Sequence, residues 1–219
     1  MRTVVVIGGG AAGLMAALFA ARGGARVTLL ERNEKLGKKI YITGKGRCNL
    51  TNACDRDAFL RRVFRNPRFL YAALSTLDSS ATMALMEELG VALKVERGER
   101  VFPVSDKASD VTAALAREIA RLGVEVRLES RARSVLSREG AVCGVALEDG
   151  REVSADAVVV ATGGMSYPST GSTGDGYRLA AEHGHARAHP LPALTAIETA
   201  QTCPARLTGL TLKNVRLRC

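Results

Sequence analysis

Along the first thirty residues the spacing of apolar positions changes twice. Val4–Ile7 is an unbroken β-branched run, the pattern of a short buried strand. Three glycines, Gly8 to Gly10, interrupt it, and Ala11–Arg22, rich in Ala and Leu, reads as a helix. Val27–Glu31 returns to a strand pattern and ends in an acid. Together these segments predict a βαβ unit. Thr3–Ala21 carries no charge and follows Arg2, so it could pass for a signal peptide or membrane anchor. The glycines in its middle fit a strand, turn and helix better.

Asn33–Asn52 is polar, basic and rich in Gly, with neither helical nor strand period. A loop of that length usually carries function. Helices are predicted over Asp57–Phe64, Arg68–Ser75 and Ser79–Leu89, and short strands over Val91–Val95 and Arg100–Pro103. Asp110–Leu122 is a further helix with Ala113, Ala114, Ile119 and Leu122 on one side, and Val124–Leu128 a further strand. Arg131–Ser137, Ala141–Glu148 and Arg151–Ser154 form a three-stranded meander, with hairpin turns at Arg138-Glu139-Gly140 and Asp149-Gly150. Ala157–Ala161 is unbroken and apolar, like strands inside parallel sheets. A last helix is expected from about Gly176 to His183, with Asp175 as N-cap and Gly184 as C-cap. Leu210–Cys219 alternates like a strand. The expected organisation is therefore an α/β domain over 1–190 and, over 191–219, the start of a second, β-rich domain within which the chain is cut.

Composition narrows the picture without changing it. Hydrophobic residues make up 47% and charged residues 24% of the 219 positions, ordinary for a globular protein. Net charge is +9, which permits an anionic partner. Yet the basic residues are scattered along amphipathic segments, and aromatic content is 4% with no Trp, which argues against a nucleic-acid stacking surface. The expected partner is a small-molecule substrate, with no membrane association. Five cysteines without a CxxC pair fit reduced thiols in a cytoplasm.

The candidate chemistry lies in four motifs. Gly8-Gly9-Gly10-Ala11-Ala12-Gly13 is a GxGxxG match between a strand and a helix. Gly8 permits the tight turn, Gly10 lets the backbone approach a pyrophosphate, and Gly13 allows close helix–strand packing. The free amides of Ala11 and Ala12 and the helix dipole favour phosphate. Glu31, at the carboxyl end of the second strand, can bind a ribose diol and would repel a 2′-phosphate; Arg32 could stack near an adenine. The second motif runs from Gly37 to Asn52. Such a loop can fold back over a dinucleotide, with Lys39 and Arg47 near the phosphates and the backbone of Gly46, Cys48 and Asn49 near an isoalloxazine. For Cys48 packing or the flavin edge is favoured over a catalytic thiol. The third motif ends the Ala157–Ala161 strand at Ala161-Thr162-Gly163-Gly164, a small flexible turn on the same sheet edge as Gly8. The fourth, Gly164–Tyr177, is rich in glycine and hydroxyl groups and opens a helix, so it could line a cofactor or substrate; for Asp175 that role and the helix cap are equally open. His183, His185 and His189 form a surface cluster without metal-ligand spacing, and no catalytic acid or base stands out.

GGGAAGLMAA at the start, GKKIYITGKGRCNLTN at 37–52 and ATGGMSYPSTGSTGDGYRLAAEHGH at 161–185 together resemble one group of bacterial flavoproteins. These are NAD(P)/FAD-dependent oxidoreductases of the BaiN-like or aminoacetone-oxidase type. The resemblance spans the whole chain, with Lys45 standing where such sequences often have Gly. It implies a Rossmann-type FAD-binding fold related to glutathione reductase and fumarate reductase flavoproteins. It also implies non-covalent FAD, two-electron transfer at the flavin, NAD(P)H as a candidate electron donor, and a carboxyl-terminal part that completes the FAD domain. By analogy with related flavoproteins, Ala132 would contact the adenine through its backbone. The rival readings are an NAD-binding dehydrogenase, disfavoured by the meander and the ATGG turn, and a non-catalytic or RNA-associated flavoprotein, which the charge permits.

Overall fold

The computed structural model describes residues 1–191 together with 200, 206, 207, 209 and 210. The chain divides into two compact units, Met1–Ala186 and Arg187–Cys219. The expected strand Leu210–Cys219 lies, apart from Leu210, outside the described residues.

The first unit is built on a four-stranded parallel sheet. Strand β1 (Thr3–Ile7) leads through the glycine turn into helix α1 (Ala11–Arg22), which returns to β2 (Arg26–Leu30). After β2 come α2 (Arg56–Arg61), α3 (Tyr71–Thr76), α4 (Ser79–Glu88) and a small antiparallel sheet. That sheet has the order β3 (Thr51–Asn52), β5 (Arg100–Pro103), β4 (Leu93–Glu96). Helix α5 (Ala108–Arg121) feeds β6 (Glu125–Arg127), which joins the parallel sheet beside β2. The meander follows as β7 (Ala132–Arg138), β8 (Ala141–Leu147) and β9 (Glu152–Ser154). Strand β10 (Ala157–Val160) then pairs with β1, giving the order β10-β1-β2-β6, and α6 (Asp175–Glu182) ends the described elements.

Period-two alternation explains why β1 reads as continuously apolar. Val6, with Val4 packed beside it, joins the core that α1 and α5 form on one side of the sheet. Val5 and Ile7 point the other way, against Val145, Leu147 and Val153 of the meander and Leu179 of α6. A strand covered on both faces needs apolar residues at every position. At the β7–β8 turn both Glu139 (φ 53°) and Gly140 (φ 78°) are left-handed, the geometry of a two-residue type I′ hairpin.

Four local expectations change. Strand β10 is parallel, as read, but among the described residues it is an edge, with Val159 and Val160 exposed. An apolar run reports side-chain chemistry and does not distinguish an interior strand from an edge one. The buried stripe of α5 is Val111, Ala114, Leu115, Glu118 and Ile119, while Ala113 is exposed. The loop after β2 holds two short 3-10 turns within Ile40–Gly46, broken at Thr43–Lys45. Finally, the cap of α6 is Gly174, with φ 86° and no side-chain bond, because the Asp175 carboxylate is engaged by two arginines.

Candidate functional site

The turn after β1 is fixed by contacts only glycine permits. Gly8 has φ 107°, and a Cβ there would lie 2.4 Å from the carbonyl oxygen of Ala161. Its amide donates to the Leu30 carbonyl at 2.7 Å. A Cβ on Gly13 would lie 1.7 Å from the Gly8 carbonyl oxygen. The two glycines thus press α1 and the end of β10 against the turn. Gly10 differs: its φ of −78° is ordinary, and a Cβ there would meet no atom of the described residues within 4 Å. The backbone at Gly10 borders space that the described residues leave open, at the end of a helix whose first amides have no intrahelical partner.

Glu31, one residue past β2, is 6% exposed. Its Oε2 accepts from the Gly9 amide at 2.7 Å, and its Oε1 accepts from the Asn33 amide at 2.8 Å and from Asn33 Nδ2 at 2.6 Å. The carboxylate therefore stands at the turn with its orientation locked by three donors. Asn33 Nδ2 also reaches the Thr170 carbonyl at 3.2 Å, drawing the loop after β10 towards β2.

Beside Glu31 runs a chain of charges. Arg32 donates to Thr173 Oγ1 at 2.8 Å and to Asp175 Oδ2 at 3.2 Å. Arg131 pairs with the same Asp175 carboxylate and, on its other side, with Glu148 at 2.9 Å. Burial pushes the Asp175 carboxyl upward, but the hydrogen bond and charge of Arg131, aided by Arg32 and Thr173, outweigh it and hold the group below the usual carboxylate range.

A cavity of about 450 Å³ joins these features. Gly8, Gly10, Ala11 and Ala12 of the first motif line it, as do Glu31 and Arg32. From the second motif come Lys39, Cys48 and Asn49, and from the third Ala161, Thr162 and Gly163; Ala132 also lines it. Lys39 Nζ donates to the Ser166 carbonyl at 2.8 Å, and burial pushes its pKa down. Cys48 is buried, its thiol pushed up by burial against a smaller opposing effect of its hydrogen bond with Thr43. The buried Oγ1 of Thr162 has no hydrogen-bond partner among the described residues.

Four expected residues are not part of the lining. Gly13 serves packing behind the turn. Gly46 and Gly164 stand outside it, and Arg47 is committed elsewhere. The Arg47 guanidinium pairs with Glu96 and with Asp106 (2.8 Å) and lies 4.1 Å over the Phe102 ring. Those carboxylates sit on β4 and in the turn after β5, far along the sequence, so the loop's composition alone gave no sign of them. Lys45 has φ 59° between Gly44 and Gly46, both also left-handed, a conformation that glycine adopts at less cost than lysine.

The sequence reading did not single out Asn33, Ser130 or Arg131, all of which line the cavity; Ser172 and Asp175 of the fourth motif line it too. It also missed an apolar part of the lining formed by Met15, Ile40, Met86, Val111 and Leu115. The helical spacing of Met15, Met86, Val111 and Leu115 reads equally well as plain core, so no local signal separates the two. Among the described residues no His, Cys, Asp and Glu cluster could hold a metal ion, and no helix is long and apolar enough to cross a membrane.

The profile of the HI0933-like protein Rossmann domain matches residues 2–216. The chain is 37% identical over 214 residues to a 3-dehydro-bile acid delta(4,6)-reductase of Clostridium scindens, covering 96% of this chain and 51% of that protein. It is 33% identical over 182 residues to a ribosomal RNA dihydrouridine synthase of Escherichia coli, covering 82% and 44%. The chain thus spans about half the length of these curated relatives. Among solved structures, the open conformation of a flavocytochrome c3 fumarate reductase is similar in fold, with a TM-score of 0.65 and 24% identity over 83% of this chain and 40% of that one.

Proposed function

Because the chain belongs to the HI0933-like Rossmann-domain family, we propose that it is the FAD-binding part of a flavin-dependent oxidoreductase. The observation that carries this reading is the open space at Gly10. It lies at the amide end of α1, beside the Glu31 carboxylate, in a cavity that also takes in the Thr162 turn and the loop around Cys48. That sequence of surfaces suits an extended dinucleotide, with pyrophosphate at the glycine turn and a ribose diol at Glu31.

The residues divide the work by chemistry. Gly10 and the amides of Ala11 and Ala12 would hold the pyrophosphate. Glu31, fixed by Gly9 and Asn33, would orient the ribose hydroxyls. The backbone of Ala132 would meet the adenine, beside the Arg32–Asp175–Arg131 chain. Lys39, Asn49 and the unpartnered hydroxyl of Thr162 supply polar groups at the other lining segments. Bound FAD would supply two-electron and hydride chemistry. With the cofactor in place, the apolar lining would keep water from these polar contacts and so strengthen them. The C. scindens relative is named a reductase, which supports reduction of a small-molecule substrate as the direction of the reaction.

The test is the visible spectrum of the purified protein. Flavin absorbance, with FAD released on denaturation and bleaching by NADH or NADPH, is the expected result. A colourless protein that cannot be reconstituted with FAD would overturn the reading.

A second reading, an RNA-associated flavoprotein, is favoured by the net charge of +9 and by the name of the E. coli relative.

A further inference from the structure

Between β3 and α4 the chain makes an excursion in which no residue of α2, of the 3-10 turn at Pro67–Leu70, or of α3 is buried. Its composition is unlike the rest of the chain. Four of the nine aromatic residues (five Phe and four Tyr) fall between positions 59 and 71: Phe59, Phe64, Phe69 and Tyr71. Phe64 is fully exposed, Phe69 is 80% exposed and Tyr71 53%. Residues 56–71 hold five arginines against one acid, Asp57, a local charge of +4. Among the described residues Arg61, Arg62, Arg65 and Arg68 are exposed and engage in no ion pair or side-chain hydrogen bond.

The arginines and aromatics are thus not evenly scattered: a chain-wide average hides their concentration in one stretch. The excursion is also held in place. Asp55 Oδ1 accepts from the Ala58 amide at 2.6 Å and caps α2. The Arg56 guanidinium lies 5.0 Å over the Tyr71 ring and donates to Ser75 at 3.2 Å, tying α2 to α3. The turn between them, at left-handed Asn66 and Pro67, keeps the two six-residue helices from merging.

We propose that residues 61–71 form a docking surface for a single-stranded polynucleotide, with Phe64, Phe69 and Tyr71 stacking on unpaired bases and Arg61, Arg62, Arg65 and Arg68 pairing with phosphates. The proposal rests on the RNA-associated reading and adds the surface that would do the binding. Two observations favour a nucleic acid over an anionic membrane. Every cation between residues 46 and 93 is arginine, whose planar guanidinium pairs with phosphate bidentately and stacks on bases. And the segment is two short helices broken by a turn, whereas a membrane-surface helix presents one continuous apolar face. Discrete exposed rings beside a basic track are what single-strand binding uses.

The experiment is fluorescence anisotropy of the full chain with a labelled oligouridine RNA of about 16 nucleotides, between about 50 and 200 mM salt. Binding should weaken steeply with salt. In R61Q/R62Q/R65Q/R68Q the slope of log K against log salt should flatten by up to about 2.8, roughly 0.7 per lost phosphate contact. The single variant F64S, whose side chain touches nothing that folding needs, should lose about tenfold in affinity. R138Q, on the exposed β7–β8 turn, should bind as the parent does. If the parent does not bind the RNA, the RNA-associated reading fails. If it binds and both variants bind equally well, that reading stands and this surface is wrong. Tighter binding to a duplex of equal length, or binding to phosphatidylserine vesicles in place of RNA, would also overturn the proposal.

Discussion

The amide of Gly9 donates to Oε2 of Glu31 at 2.7 Å, so the glycine turn and the acid at the end of β2 hold one another in place. One carboxylate therefore serves two ends, fixing the turn and presenting an acceptor to the cavity. Glu31→Ala removes the acceptor of three donors at a site 6% exposed. It should lower stability by roughly 1.5–3 kcal/mol and weaken FAD about tenfold to a hundredfold. FMN, which has no adenosine ribose, should be affected much less. Thermal melts and flavin titrations of the variant check both, and equal loss for the two flavins would remove the ribose role while leaving the structural one.

The glycines of the turn divide into structural and cofactor positions. Gly8→Ala must hold φ near 107° and place a Cβ 2.4 Å from the Ala161 carbonyl, so it should cost about 2 kcal/mol or more in stability. Gly10→Val meets no such obstacle and should melt close to the parent, while its side chain fills the space proposed for pyrophosphate. FAD retention should fall by at least about tenfold, or 1.4 kcal/mol. A Gly10→Val protein that keeps stoichiometric FAD would place the pyrophosphate elsewhere.

What the sequence disclosed and what it hid follow from range. The βαβ unit was legible because β1, Gly8 to Gly13, α1 and β2 are contiguous and each declares itself by local pattern. The I′ turn at Glu139-Gly140 was legible for the same reason. The roles of Arg47 and Asp175 were not. Arg47 finds its carboxylates 49 and 59 positions away, and Asp175 finds Arg131 at a separation of 44. A basic residue in a glycine-rich loop looks the same whether it faces a phosphate or a distant Asp. Met86 and Leu115 were hidden differently, since a residue that lines an interior cavity keeps the periodicity of one that fills a core.

The two environments of the described thiols give a third expectation. Cys48 and Cys54 are buried, with the Cys48 thiol pushed up by desolvation, whereas Cys143 on β8 is exposed. Alkylation proceeds through the thiolate. Iodoacetamide on the native protein should therefore modify Cys143 at least about tenfold faster than Cys48. Peptide mass spectrometry over a time course reads this directly. Rapid labelling of Cys48 in the folded protein would show a reactive thiol and reopen a redox role for it.

Acid stability should report the ion cluster behind the sheet. Glu118 of α5 accepts from Arg121 at 2.8 and 2.9 Å and from Arg22 of α1 at 3.0 Å, and Arg22 also reaches Glu88 of α4 at 2.7 Å. The hydrogen bonds from Arg121 and then Arg22 outweigh burial and lower the Glu118 pKa from 4.5 to about 2. A carboxylate depressed in the folded state contributes stability that is fully present above its unfolded pKa. That contribution is lost as pH falls from about 4.5 through about 2. Glu118→Gln keeps the shape but has no proton to take up in this range. The difference in Tm between parent and Glu118→Gln should therefore be greatest near neutral pH, with the parent more stable, and should shrink steadily below pH 4.5. A gap that stays constant down to pH 2 would show that the ionisation of Glu118 contributes nothing to holding α1 against α5.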